Sequence, residues 1–235
     1  MNKKEKIELN APMHIREKLL MLLAVLYIAF DLTCDVTAHR YVSFFSYTLI
    51  GSSLIYPLTY FINDIITEIF GFKYARNMIW LGVLADFIFS FLIIGINKLP
   101  SPHFWHLRES FIAVLDPMLR LNVGGLMGIL VGRFLNIYLL SKTKVLLKGR
   151  FFWARSIFST SLGICAHSIV LDIITFYGVV PDHQFLSIMM TNYLTNASSV
   201  LLFFWIPTII VEIIKSKYHI DTYDEKISYN PISFR

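Results

Sequence analysis

Apolar residues along this chain gather into runs of about 20, separated by short polar or basic breaks. A helix of that length crosses a hydrocarbon core of about 30 Å. The pattern predicts six spans: Leu19–Ala38, Phe45–Phe70, Met78–Asn97, Leu119–Leu140, Ser156–Val180 and Met190–Ile214. His39-Arg40 separates the first two, and Gly71 to Arg76 the next two. Lys98 to Pro102 opens the third loop, Ser141 to Arg155 forms a basic fourth loop, and Pro181-Asp182-His183 marks the fifth. The expected fold is an all-α integral membrane protein of six transmembrane helices. A six-helix domain at 19–215 lies between short tails at 1–18 and 216–235.

Composition agrees with this reading. Of 235 residues, 56% are hydrophobic and 16% charged, where a soluble domain carries about 25% charged residues. The mean hydropathy is +0.61. A net charge of +5 would point to nucleic acid in a soluble chain; here topology accounts for it, and no nucleic-acid partner is expected. The tails and the second and fourth loops hold sixteen of the 21 Lys and Arg residues, against only Arg40, Lys98 and Arg108 in the other loops. Basic residues mark cytoplasmic loops, so both termini are expected in the cytoplasm. Eighteen mixed polar residues precede the first run and no small-residue cleavage site follows it, so the first helix is expected to be retained. Cys34 and Cys165 both fall inside apolar runs and read as small core residues.

Several residues do not belong in lipid. Ionisable groups there cost roughly 2.5–3.5 kcal/mol each, so they face a bundle interior and serve a purpose. The spans nonetheless contain Asp31, Asp35, Asp64, Glu68, Asp86 and Asp172, against Arg120, Arg133 and His167. Asn122, Asn136, Asn192 and Asn196 add further polar groups. Some have bland readings. Arg120 and Glu68 lie near span ends, where they can reach water, and Asp35 can pair with Arg120. The acidic excess as a whole points to a polar interior that accepts a hydrogen-bonding solute.

The stretch YPLTYFINDIITEIFG, Tyr56 to Gly71, concentrates this chemistry. Pro57 removes a backbone donor and weakens the helix there. Beyond it, Tyr60 or Phe61, Asp64 and Glu68 share one helical face by their spacing of three and four. Rings beside acceptors suit a flat heterocycle that stacks and donates N–H bonds. An aromatic stripe packing on neighbouring helices is the alternative. Gly124-x-x-x-Gly128-x-x-x-Gly132 makes a smooth groove for close helix contact, within one chain or in a homodimer. The chain has no P-loop, HExxH, Cys-x-x-Cys or Gly-x-Ser-x-Gly pattern. His103 and His106 read as solvated loop residues. No catalytic residue, metal or cofactor is therefore expected, and the chain does not read as an enzyme.

Two blocks carry a family resemblance. Tyr56-Pro-Leu-Thr-Tyr, then Asn63-Asp-Ile-Ile-Thr-Glu-Ile-Phe-Gly-Phe-Lys-Tyr-Ala-Arg76, resembles the signature of the queuosine precursor transporters in the vitamin uptake transporter group. Arg133-Phe-Leu-Asn136-Ile-Tyr, the basic loop, Phe152-Trp-Ala-Arg155 and Ser159-Thr160 follow in that family's order. The resemblance covers about residues 19–215. It implies a six-helix bacterial inner-membrane importer of 7-deazaguanine bases such as 7-cyano-7-deazaguanine. The implied fold is similar to the substrate-binding subunits of energy-coupling-factor transporters, working without their ATPase. It places Asp64 in the substrate site and Trp153 and Arg155 in the family's Trp-x-Arg.

The chain departs from that family where Gln-x-x-Asp is usual in the fourth and fifth helices. It reads Arg133-x-x-Asn136 and Ile164-x-x-His167 there. Acceptors are lost, because Arg only donates and neutral His offers one acceptor. Either Glu68, Asp86 or Asp172 compensates, or the substrate has shifted towards a solute richer in acceptors or negative charge. The candidate substrate residues are Asp64, Glu68, Tyr60, Asn63, Arg133, Asn136, His167, Asp86 and Asp172. Structural or gating roles are expected for Asp35, Arg120, Pro57, Trp153 and Arg155. Entry can be coupled to protons or purely facilitated. Two other readings stay open. One is an importer or binding subunit for a different vitamin-like heterocycle or anion. Ala24 and Ala29 are five apart, which misses the Ala-x-x-x-Ala docking spacing and argues against an ATPase partner. The other is a non-transporting scaffold. Interhelical polar contacts average only about 0.6 kcal/mol, so glue alone explains so many polar residues poorly.

Overall fold

Helix α1, Met13–Thr37, realises the first predicted span. The computed structural model describes residues 13–38, 40–44, 47–115, 118–178, 180–225 and 227–233. After α1 the chain turns back as a hairpin. Strand β1, Tyr41–Phe44, pairs antiparallel with β2, Tyr47–Ile50, with Tyr41 opposite Ile50. A single 3-10 turn, Gly51–Leu54, then leads into α2, Tyr56–Phe70.

The second span, expected as one helix from Phe45, is therefore helical only from Tyr56. Phe45 itself lies outside the described residues. The departure has a local cause. Tyr47-Thr48-Leu49-Ile50 is aromatic and β-branched, which favours extended backbone, and Gly51-Ser52-Ser53 is a poor helix former. The Gly51 amide donates to the Arg40 carbonyl at 2.7 Å, and a Cβ there would lie 2.8 Å from the Thr37 carbonyl oxygen. Pro57 does not weaken α2 as expected. It stands in the first turn, where its missing N–H has no intrahelical acceptor in any case and its fixed φ favours helix initiation.

The remaining helices are α3, Phe72–Asn97; α4, Arg108–Leu115; α5, Met118–Leu146; α6, Phe152–Phe176; α7, Asp182–Phe203; and α8, Trp205–Tyr218. Among the described residues, α1, α3, α5 and α6 are each long and apolar enough to cross a membrane. Helices α7 and α8 make a fifth if counted as one span bent by 43°. Pro207 explains the bend, because it cannot donate back into the last turn of α7. This is a multi-pass helical membrane protein. Leu81, Leu84, Phe87, Phe91 and Leu92 of α3 are exposed, as a lipid-facing surface requires.

At 15 residues α2 is only about 22 Å long. It is the most sheltered element, with every residue except Leu58 buried. Helices α1, α3, α5 and α8 pack around it. The glycine groove of α5 is filled by α6 of the same chain. A Cβ at Gly132 would stand 2.5 Å from the Gly163 carbonyl oxygen, and one at Gly128 would stand 2.8 Å from His167 Nδ1. The groove is thus filled within the chain.

The segment after α8 is not a loose tail. It runs back across the end where α2 meets α3, called here the basic end because Lys144, Arg155 and Lys215 gather there. Ile220 is buried, and the Thr222 amide donates to the Ile69 carbonyl. Asp224 accepts from the Phe72 amide at 2.8 Å and from Ser141 Oγ at 2.6 Å. Further along, Trp80 Nε1 donates to the Pro231 carbonyl and Arg76 to the Asn230 carbonyl.

Candidate functional site

Helix α2 carries three successive polar levels, and each recruits a different kind of partner. The first is at its N-terminal half. Arg133, on α5, is wholly buried and grips Asp31 of α1 with both guanidinium nitrogens, at 2.8 and 2.6 Å. It also donates to the Tyr27 hydroxyl and, at 3.1 Å, to Thr59 Oγ1 of α2. Its guanidinium lies 4.9 Å from the Tyr27 ring centre and 5.8 Å from that of Tyr60. Gly82 of α3 makes room for this group, since a Cβ there would stand 2.7 Å from the Tyr27 ring. One turn further on α3, Asp86 is buried with Oδ1 unpartnered. Asp35 lies one turn beyond Asp31, in electrostatic range of Asp31 and Arg133.

The second level is the middle of the helix. Asp64 is completely buried and accepts only from neutral donors. Asn136 Nδ2 donates at 3.1 Å, Thr160 Oγ1 at 2.8 Å, and Ser156 Oγ closer still. Asn136 Nδ2 also reaches Thr160 at 2.9 Å, while its Oδ1 has no partner. Asn63 is wholly buried beside the Tyr27 hydroxyl, and neither of its amide atoms makes a hydrogen bond of good geometry. Rings border this level. Tyr56 donates to the Tyr60 hydroxyl at 3.2 Å and packs 4.8 Å from the His167 ring.

The third level is the basic end. Glu68 is wholly buried, and Arg155 clasps it through two bonds at 2.9 and 3.0 Å. Lys215 of α8 joins it from the other side, and Lys144 Nζ stands 3.7 Å away. Lys144 donates to the Glu68 backbone carbonyl and, at 2.6 Å, to Asp221 in the C-terminal segment. Asp221 is partly buried, which raises its pKa, but Lys144 and Lys215 outweigh this and hold it below the ordinary carboxylate value.

The structure thus gathers Tyr60, Asn63, Asp64, Asn136, Arg133, Asp86 and His167 along one seam. It sets others apart. Asp172 faces α7, where it accepts from Asn192 at 3.3 Å. Trp153 is half exposed at the start of α6, 6.2 Å from the Phe204 ring. The Arg120 and Asn122 side chains lie outside the described residues, so the expected Asp35–Arg120 pair does too. Sequence reasoning left Tyr27, Thr59, Ser156, Lys144, Lys215 and Asp221 out of the site. The Ser156 and Thr160 pair had a legible signal, since their spacing of four puts both hydroxyls on one face of α6. Among the described residues no group of His, Cys, Asp and Glu could hold a metal ion.

Residues 50–211 match the profile of a family described as "Putative vitamin uptake transporter". A "Probable queuosine precursor transporter" from Bacillus subtilis (strain 168) is 23% identical over 171 residues, covering 72% of this chain and 74% of that protein. No solved structure matches the chain significantly.

Proposed function

The chain belongs to the vitamin uptake transporter family, and from that membership we propose that it imports a queuosine precursor, 7-cyano-7-deazaguanine or a related 7-deazaguanine base. The observation that carries this reading is the middle of α2. Asn136 has an unspent amide oxygen in the donor cradle of Asp64, and Asn63, beside Tyr27, has two amide atoms with no hydrogen bond of good geometry. A buried polar atom without a partner costs about 1–3 kcal/mol. A deazaguanine edge offers N–H donors and one carbonyl acceptor, which match two amide oxygens and an amide N–H. Tyr56, Tyr60 and His167 supply faces for its ring.

The arrangement argues against a shift towards an anion, and it gives the compensating role to none of Glu68, Asp86 and Asp172. Arg133 offers an anion little, because Asp31 already neutralises it. Carboxylate acceptance falls to Asp64. We read the protein as a carrier with no catalytic step, in a bacterial inner membrane. The basic loops place both termini in the cytoplasm. An even number of crossings follows, and α2 with its preceding hairpin supplies a shortened sixth. Fold and site in this reading are those of an energy-coupling-factor binding subunit acting without the ATPase.

The test is queuosine in the tRNA of bacteria that lack both precursor synthesis and their own importer, fed 7-cyano-7-deazaguanine. Expression of this protein restores queuosine, and Asp64→Asn removes it again. No restoration by a folded, membrane-inserted protein overturns the reading.

A further inference from the structure

Three carboxylates, Asp31, Asp35 and Asp86, lie within electrostatic range of one guanidinium, that of Arg133. Arg133 spends two of its nitrogens on Asp31, which satisfies one negative charge. Asp86 is 4% exposed and its Oδ1 has no hydrogen-bond partner. It lies in electrostatic range of Asp31, Asp35 and Arg133. Arg133 Nε, in a wholly buried side chain, is likewise unpartnered.

The groups that face this cluster can be named element by element. Helix α1 brings Tyr27 and Cys34 besides the two aspartates, and α2 brings Tyr56, Tyr60 and Asp64. Helix α6 brings His167, in electrostatic range of Arg133. Among the described residues, Arg133 is the one Lys or Arg on these faces. Asp86, buried, and Asp35, half-buried, are left without a cation among the described residues, and unpaired charge is costly at such depth. The acids are not close enough together to hold a metal ion. A proton is the cation that fits.

We propose that Asp86, supported by Asp35 and the Asp31–Arg133 pair, is the proton-binding site that couples transport. The inference rests on the importer reading above, and it separates the coupling group from Asp64, which that reading gives to the solute. Binding is a simple balance: a proton from the aqueous side joins a carboxylate oxygen of Asp86, and one negative charge disappears. When that proton leaves, the Asp86 carboxylate competes with Asp31 for Arg133. Arg133 also holds Thr59 of α2 and Tyr27 of α1. Its move would loosen the seam where α1, α2 and α5 meet, one level above Asn63 and Asp64. The proton and the solute thus act on the same helix.

The first measurement needs no substrate. Infrared spectroscopy of the full chain in lipid should show the C=O stretch of a protonated carboxylic acid, shifted by deuterium exchange and lost in Asp86→Asn. Absence of that band in the wild type, or its survival in Asp86→Asn, overturns the assignment. A band that emerges only in Arg120→Gln also overturns it, because Arg120 would then neutralise the cluster. The second measurement uses labelled 7-cyano-7-deazaguanine in proteoliposomes. An inward proton gradient should drive accumulation with alkalinisation outside. Asp86→Asn should lose that gradient-driven component, and Asp35→Asn should lose part of it. Counterflow with no response to the gradient, or a response to sodium instead, overturns coupling. Loss of counterflow in the wild type overturns the substrate reading and leaves the infrared result standing.

Discussion

Glu68 separates a structural role from a binding role. It was a natural substrate candidate by sequence, yet it sits within an ion cluster of three cations and one other acid, Asp221. At 2.9 Å the Arg155–Glu68 contact is worth about 6 kcal/mol for an effective dielectric of about 20. Desolvation offsets much of that, but removing one partner of a buried pair still costs roughly 3–5 kcal/mol, because the other charge is left uncompensated. Glu68→Gln leaves Arg155, Lys144 and Lys215 with only Asp221. For a chain of this size, each kcal/mol lowers Tm by about 2–4 °C, so the expected fall is about 6–20 °C. The double variant Glu68→Gln/Arg155→Leu returns the cluster to its original net charge and should recover a large share of that loss. The assay is thermal unfolding of detergent-solubilised protein, followed by size-exclusion recovery, alongside queuosine restoration in cells. If Glu68→Gln keeps the wild-type Tm and abolishes uptake, the structural assignment is wrong and Glu68 touches the solute. If the double variant melts no higher than the single, the pairing argument fails.

Asp64→Asn should behave differently, losing uptake with a smaller fall in Tm than Glu68→Gln, because its amide oxygen still accepts from Ser156 and Thr160 while its NH2 can donate to Asn136 Oδ1 once that amide turns over; a fall as large as that of Glu68→Gln would count against this. Gly132→Ala should reduce the yield of folded protein, since its Cβ would meet the Gly163 carbonyl oxygen at 2.5 Å and overpacking costs about 1–3 kcal/mol. Gly125→Ala, with nothing within 4 Å, is the control, and equal yields would refute the packing argument. The pH dependence of the C-terminal segment follows from Asp221. Its pKa is lower folded than unfolded, so its stabilising contribution is present above the ordinary carboxylate value of about 3.9 and is lost only as pH falls through the lower folded value. Hydrogen exchange over residues 220–231 should therefore stay slow through that ordinary value, and Asp221→Asn should speed it already at neutral pH.

The spans that sequence patterning located well are those with unbroken apolar runs, which became α1, α3, α5 and α6. The second and sixth were harder for physical reasons. Tyr47 to Ile50 is as apolar as a membrane helix, and hydropathy alone does not register its preference for extended backbone. Pro207 lies inside an apolar run long enough to span, so the run hides the bend. The site was partly legible. The Asn63-Asp64 pair, Arg133 and Asn136 were all picked out, because polar residues in lipid-length runs are conspicuous. Their partners were not. Arg133 pairs with Asp31, 102 positions away, and Glu68 with Lys215, 147 positions away. Spacing along one helix carries no information about such contacts. By sequence, 216–235 reads as a short tail. Its anchors, Asp224 on the Phe72 amide and Pro231 on Trp80, are single polar contacts that leave no periodic trace.

The grading of these partners along α2 argues for where movement is possible. Both ends of the helix are tied by ions: Arg133–Asp31 meets Thr59 near the start, and Arg155, Lys215 and Lys144 surround Glu68 near the finish. The exit is braced again at Gly71. Its φ of 91° permits the sharp passage into α3, and a Cβ there would stand 2.7 Å from Asp224 Oδ1. Between these ties, Asp64 is held by uncharged donors and Asn63 by no hydrogen bond of good geometry. A hydrogen bond from an uncharged donor to a charged group contributes about 1.5–3 kcal/mol net, less than the roughly 3–5 kcal/mol cost of breaking a buried ion pair. A solute with two or three hydrogen-bonding groups can outcompete the former and not the latter. The middle of α2 is therefore the level at which such a solute can exchange partners while the ends of the helix stay in register.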